Sequence, residues 1–147
     1  MPHHYPRLHH LSLIVAETAT AVDFYCGLLG LELAPDRPPL GFPGAWLQLG
    51  EQQIHLLELP NPDPRRGRPE HGGRDRHLAL QVSPLDHYRQ QLEARAIPYT
   101  LSRSGRQALF CRDPDGNGVE LIESAPVITP DPNAIKLVIA KGCPLPD

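Results

Sequence analysis

Hydrophobic and polar positions follow two different periods along this chain, and the switches between them recur in the same order twice. Residues 8–15, "LHHLSLIV", are rich in leucine and β-branched side chains and predict a strand. At residue 17 the spacing becomes helical. In "ETATAVDFYCGLLG", Val22, Tyr25, Cys26 and Leu29 form one stripe, Thr18 is placed to cap the start and Gly30 to end it. "LELA" follows, then a loop rich in proline and glycine from Pro35 to Gly44. Two more strands are predicted at 45–49 ("AWLQL") and 53–59 ("QIHLLEL"), joined by the polar "GEQ". The predicted order is β-α-β-β-β.

The second half repeats it. "RHLALQV" predicts a strand, and "SPLDHYRQQLEARA" a helix with Ser83 at the N-cap, Pro84 at the first helical position and Leu85, Tyr88 and Leu92 as its apolar stripe. Three strands follow, "IPYTL", "QALFCR" and "GVELIE", with the turn "DPDGN" (113–117) between the last two. The register is nearly constant: His10 to His77 spans 67 residues and His55 to Glu120 spans 65. "HLSLIV" therefore lies over "HLALQV", and "IHLLE" over "VELIE". A duplicated module is the economical explanation.

One domain of 147 residues thus divides into a first module at about 7–59, a linker at 60–74, a second module at about 75–124 and a tail at 125–147. The linker is rich in proline and arginine and reads as a solvated connector. The tail has no counterpart in the first half, and its "AIKLVIA" predicts a helix or strand docked on the sheet or on a neighbouring chain.

Composition narrows the function classes. With 40% hydrophobic and 21% charged residues, the chain reads as an ordinary globular domain. A formal charge of −3 and the absence of a basic stripe argue against nucleic acid. No apolar run is long enough to span a membrane, and the polar N-terminus does not resemble a secretory leader. Cys26, Cys111 and Cys143 are odd in number and widely spaced, which suits a reducing cytoplasm better than a disulfide framework. Cys111 reads as a packed strand residue.

The eight histidines change the picture most. Strand alternation puts His10 on a face with Ser12 and Ile14, His77 with Ala79 and Gln81, His55 with Leu57 and Leu59, and Glu120 with Ile122 and Ser124. If the modules pack about a pseudo-twofold axis, His10 relates to His77 and His55 to Glu120. Three imidazoles and a carboxylate would then project from apolar strands towards one cleft, a donor set suited to a divalent transition metal. Taken singly, each histidine also suits a hydrogen-bonded structural role. His9 points to the other face. His3, His4 and His87 fall in the N-terminal tail or on a helix surface, and among the outlying histidines His71 in "EHGG" is the one placed to reach the cleft. Trp46, Tyr99 and Phe110 are candidates for an apolar pocket wall. Arg103 and Arg106 are candidates to hold a substrate carboxylate, or are surface arginines beside a strand.

The paired βαβββ modules, with "HHLSLIVAETATAVDFYCGLLGLEL", "HLALQV" and "LFCRDPDGNGVELIE", resemble the vicinal oxygen chelate superfamily over about residues 7–124. That group includes glyoxalase I, bleomycin-binding proteins and extradiol dioxygenases. The resemblance implies an α+β fold in which two tandem βαβββ modules curl their mixed sheets into a half-barrel cleft. It implies one divalent transition metal (Zn, Ni, Co, Mn or Fe(II)) on His10, His77 and Glu120, with His55 at a fourth corner. It further implies a small substrate chelating the metal through adjacent oxygens, Glu120 as the catalytic proton carrier, and often a homodimer. Glyoxalase I carries a glutamate where His55 stands here. The leading expectation is therefore a glyoxalase-like lyase or isomerase. A non-haem iron extradiol dioxygenase is the alternative enzyme, and a metal-free drug-binding protein of the bleomycin-resistance type is the alternative outside catalysis.

Overall fold

The computed structural model describes residues 4–124. The expectations for the 125–147 tail, for His3 and for Cys143 lie outside these residues. The first module contains β1 (His10–Val15), α1 (Thr18–Val22), a wide π-helical turn (Asp23–Leu28), β2 (Glu32–Leu33), β3 (Gly44–Leu49) and β4 (Gln52–Glu58). The second contains a short 3-10 turn (Gly72–Arg74), β5 (His77–Val82), α2 (Leu85–Ala94), β6 (Tyr99–Leu101), β7 (Ala108–Arg112) and β8 (Gly118–Glu123). Each module forms a four-stranded mixed sheet in the same order, β1-β4-β3-β2 and β5-β8-β7-β6. The first pair is parallel and the others antiparallel. Neither sheet closes into a barrel.

Alternation along these strands separates two faces. Val15, Ala45, Leu47, Ile54 and Leu56 of one sheet, and Leu80, Leu109, Cys111, Val119 and Leu121 of the other, enter a single core with Phe24, Tyr25, Leu28 and Leu92 from the helices. The side chains between them in sequence point the other way. His10, Trp46, His55, His77, Phe110 and Glu120 all belong to this second set.

The predicted first helix is remodelled. Only five residues are α-helical, and beyond Val22 the backbone widens, with Leu29 N–H donating to the Phe24 carbonyl and Leu31 N–H to that of Tyr25. A regular helix turns neighbouring side chains about 100° apart. The wider turn buries the adjacent pairs Phe24–Tyr25 and Leu28–Leu29 together.

Both expected caps are corrected. Glu17 and Pro84, not Thr18 and Ser83, occupy the N-cap positions, and neither side chain caps its helix. The open N–H groups are met from the strands instead. Glu58 Oε2 accepts from Thr18 N–H (2.8 Å) and Thr18 Oγ1 (2.7 Å), and Glu123 Oε2 accepts from Leu85 N–H (3.3 Å). Glu58 and Glu123 are the closing residues of "IHLLE" and "VELIE", so the duplication includes its capping groups.

The "DPDGN" turn locks the modules together. Tyr25 Oη donates to Asp113 Oδ2 (2.8 Å), and Asn117 Nδ2 donates to the same oxygen (2.8 Å). Asp113 Oδ1 accepts from the N–H groups of Asp115 (2.9 Å) and Asn117 (2.8 Å), while Asp115 Oδ1 accepts from Ala16 N–H (2.9 Å). Burial raises the Asp113 carboxyl above its ordinary range and, with the Asp113 charge, holds the Tyr25 hydroxyl well above its own.

The linker is exposed over most of residues 60–70 and is also tied to its surroundings. Asp75 accepts from Arg68 (3.1 Å) and Arg112 (2.9 Å), Arg112 also donates to the Pro69 carbonyl (2.8 Å), and Arg65 donates to that of Pro114 (2.7 Å). Arginines that read as a solvated run in sequence find carbonyls and a carboxylate that only folding places beside them.

Replacing Tyr25 with Phe removes the inter-module donor to the buried Asp113 Oδ2 and leaves Asn117 Nδ2 alone on that oxygen. The expected loss of unfolding free energy is about 1–3 kcal/mol, read by urea denaturation as a lower midpoint with unchanged slope. An unchanged midpoint would show that the inter-module hydrogen bond is not what holds the turn.

Candidate functional site

The duplicated positions come together as two pairs. In the first module, strand pairing sets Trp46 beside His55, and His10 projects from the neighbouring strand. The three rings stack: Trp46 on His55 with centroids 4.1 Å apart, and His55 on His10 at 4.1 Å. His55 Nε2 lies 2.9 Å from Gln53 Oε1, and His10 Nδ1 lies 2.8 Å from that of His9. Burial, then the neighbouring His10 and His9, lowers the pKa of the His55 imidazole.

In the second module, Glu120 faces Phe110 across the β7–β8 pairing and stands beside Ala79 of β5. Its side chain is only 5% exposed. His77 Nε2 lies 3.2 Å from Glu120 Oε2, and His77 Nδ1 lies 2.8 Å from the Asp75 carbonyl. A carbonyl oxygen only accepts, so Nδ1 carries a proton. The neutral ring then turns the lone pair of Nε2 towards a carboxylate oxygen, an arrangement that calls for a second proton or a cation between them. Glu120 Oε1 is buried without a hydrogen-bond partner. Arg106 Nη2 approaches it at 3.5 Å, outside hydrogen-bond geometry.

Within one chain the four candidate ligands do not converge. Among the described residues, no three His, Cys, Asp or Glu side chains gather as a metal-holding group. The single cleft expected from the sequence is, in this chain, a His10–His55 pair and a His77–Glu120 pair.

A cavity of about 340 Å³ opens beside the second pair, lined by His71, Arg74, His77, Arg103, Arg106 and Glu120, with Ser102, Ser104 and Phe110. His71 does reach this site. It is buried, Nδ1 lies 2.7 Å from Thr100 Oγ1, and its ring meets Phe110 edge-on at 5.1 Å. Phe110 meets His77 in the same way at 5.1 Å, so it forms the floor between them. Tyr99 does not line this cavity but a neighbouring one, with Thr100 and Phe110. It pairs with Cys111 on the core side and donates its hydroxyl to Glu93 (2.6 Å), and alternation puts Thr100 on the Phe110 side instead. Arg74 was not singled out from the sequence. "GGRDRH" has no periodicity, and only proximity to His77 in sequence could have raised Arg74.

The chain belongs to the Glyoxalase/Bleomycin resistance protein/Dioxygenase superfamily, whose model matches residues 7–121. It is 32% identical over 136 residues to "Glyoxylase I 4" of Arabidopsis thaliana, covering 86% of this chain and 77% of that relative. The structure is similar to lactoylglutathione lyase from Agrobacterium tumefaciens, with a TM-score of 0.57 and 25% identity over 80% of this chain and 93% of that one. It shares its fold with TnmS3, an antibiotic binding protein from Streptomyces sp. CB03234, with a TM-score of 0.63 and 21% identity over 82% and 98% of the two chains. No helix among the described residues is long and apolar enough to cross a membrane.

Cys111 does not serve as a nucleophile. It is buried in β7, and burial, then Asp113, pushes its thiol up to about 12. Peptide mapping after iodoacetamide treatment at about pH 8 is expected to find Cys111 unmodified in the folded protein and alkylated after denaturation. Equal labelling in both states would contradict the packed position.

Proposed function

We propose that the protein is a divalent-metal-dependent lyase or isomerase of the glyoxalase-like type, acting on a small substrate with adjacent oxygens. The observation that carries this reading is the His77–Glu120 pair. The ring is oriented by the Asp75 carbonyl, its free nitrogen faces a buried carboxylate, and one oxygen of that carboxylate lacks a donor. A doubly protonated His77 would satisfy Oε2 equally well, but Oε1 would still lack a hydrogen-bond donor, with Arg106 Nη2 at 3.5 Å. The imidazole and carboxylate donors suit zinc, nickel, cobalt, manganese or ferrous iron.

His77 and Glu120 would hold the ion, with His10 and His55 supplied by a second copy of the chain in a homodimer. The separation of the two pairs within one chain supports that arrangement. When bound, the ion supplies Lewis acidity to two adjacent substrate oxygens. Among the described residues Glu120 is the single carboxylate lining the cavity, so it is the group that carries the proton between neighbouring substrate carbons. Phe110 packs edge-on against His77 and Trp46 stacks on His55, and burial, then the charges of Arg103 and Arg74, lowers the pKa of His71 beside the second pair.

Elemental analysis is expected to find about one divalent ion per chain in the wild type, with loss in His77→Ala and in Glu120→Ala. Mixing His10→Ala with His77→Ala subunits distinguishes a shared centre from an internal one. A centre shared between copies restores about a quarter of the sites, because each mixed dimer rebuilds one intact set. A centre within one chain restores none. Iron with oxygen uptake on a catechol would move the activity to the dioxygenases. No ion in any preparation, with ligand binding intact in both variants, would favour a binding protein.

A further inference from the structure

The duplicated modules account for the candidate metal ligands but not for the cavity beside them. One wall of that cavity is the His71–Arg74 segment, which comes from the linker and has no counterpart in the first module. The two glycines explain how it seats there. A Cβ on Gly72 would stand 2.9 Å from Phe110 Cβ, and one on Gly73 would stand 2.9 Å from His71 Nε2. "HGGR" therefore lies directly on Phe110 and delivers Arg74 to the cavity mouth.

The opposite wall is the loop between β6 and β7. Ser102 Oγ and Ser104 Oγ are 2.9 Å apart, and Arg106 Nε donates to Ser104 Oγ (3.2 Å). Gly105, at φ +81, makes the turn between Ser104 and Arg106 in a backbone conformation that other residues rarely adopt. The loop thus arranges its own hydroxyls and one guanidinium on the same side.

Two of the cavity arginines have no charge partner among the described residues. Arg68, Arg76, Arg89, Arg95 and Arg112 each meet an aspartate or glutamate. Arg74 and Arg103 have no hydrogen-bond or ion-pair partner among the described residues, yet both face the same cavity. Arg106 donates to Ser104 Oγ and stands 3.5 Å from Glu120 Oε1. Three cations, two hydroxyls and one carboxylate leave the cavity with a net positive lining.

We propose that this cavity is a receptor for the oxyanion group, carboxylate or phosphoryl, of a small organic acid, held by Arg74, Arg103 and Arg106. A planar guanidinium matches either group with two parallel hydrogen bonds. The cavity, about 340 Å³, suits a metabolite-sized ligand. The inference names the substrate class of the proposed lyase or isomerase and rests on that reading for the substrate's other, chelating end. Because Arg106 is the nearest cation to Glu120 Oε1, an oxyanion that draws Arg106 away exposes this oxygen, and a cation on Glu120 frees Arg106. Cation and oxyanion are therefore coupled, each strengthening the other's binding.

The test is calorimetric titration of inorganic phosphate and of succinate into metal-free protein, at low ionic strength. Saturable binding of at least one is expected, weakened about tenfold or more in Arg103→Ala/Arg106→Ala, weakened less in Arg74→Ala, and unchanged in Arg66→Ala, which removes the same charge outside the cavity. The stronger of the two ligands identifies carboxylate or phosphoryl as the preferred group. Absence of saturable binding, full binding in the double variant, or equal weakening in Arg66→Ala would overturn the proposal. The titrations need no metal, so failure of the metal reading shows separately, as absent ion uptake, and leaves the oxyanion result intact.

Discussion

A buried carboxylate at a turn governs how the halves of this protein meet. Asp113 is costly to bury, and its oxygens are satisfied only if Tyr25 from the first module and the Asn117 side chain and turn N–H groups from the second all arrive together. Asp115 then ties the same turn to Ala16, and Asn117 Nδ2 reaches the Ile14 carbonyl (3.4 Å). Apolar surface can slide; a buried carboxylate with fixed donors cannot. The turn therefore sets the relation of the two sheets, and with it the position of β5 relative to β1.

The same turn leads into β8, so the strand that presents Glu120 begins at the hub. Its neighbour β5 is preceded by Asp75, which joins linker to site. Burial opposes the Asp75 charge, but hydrogen bonds from Arg112, from the Arg76 N–H and from Arg68 outweigh it and hold the carboxyl below its ordinary range. With its side chain pinned, its carbonyl is fixed to accept from His77 Nδ1. The arginine-rich linker thus acts on the site twice: it orients His77 through Asp75, and it lines the cavity through His71 and Arg74.

Membership in the superfamily and the geometry support one another at different levels. The fold as a whole is what this chain shares with the related proteins. The stacked Trp46–His55–His10 rings and the linker wall belong to this chain's own side chains. The chemistry argued above rests on the second group, because a fold shared by lyases and by an antibiotic binding protein does not choose between them.

Much was legible in the sequence because it depends on neighbours along the chain. Period-2 alternation in "HLALQV" and "GVELIE" was enough to put His77 and Glu120 on the face away from Leu80 and Leu121, and the constant offset between the halves identified the repeat. Even the capping glutamates were written at matching places, although local propensity favoured Thr18 and Ser83 for that task. What the chain could not show is which distant groups satisfy a buried or charged atom. The widened turn at Phe24–Tyr25, the pinning of Asp75 by Arg68 and Arg112, and the division of four expected ligands into two pairs each depend on contacts that sequence spacing does not encode. Local pattern decided which way side chains point; only tertiary packing decided what they meet.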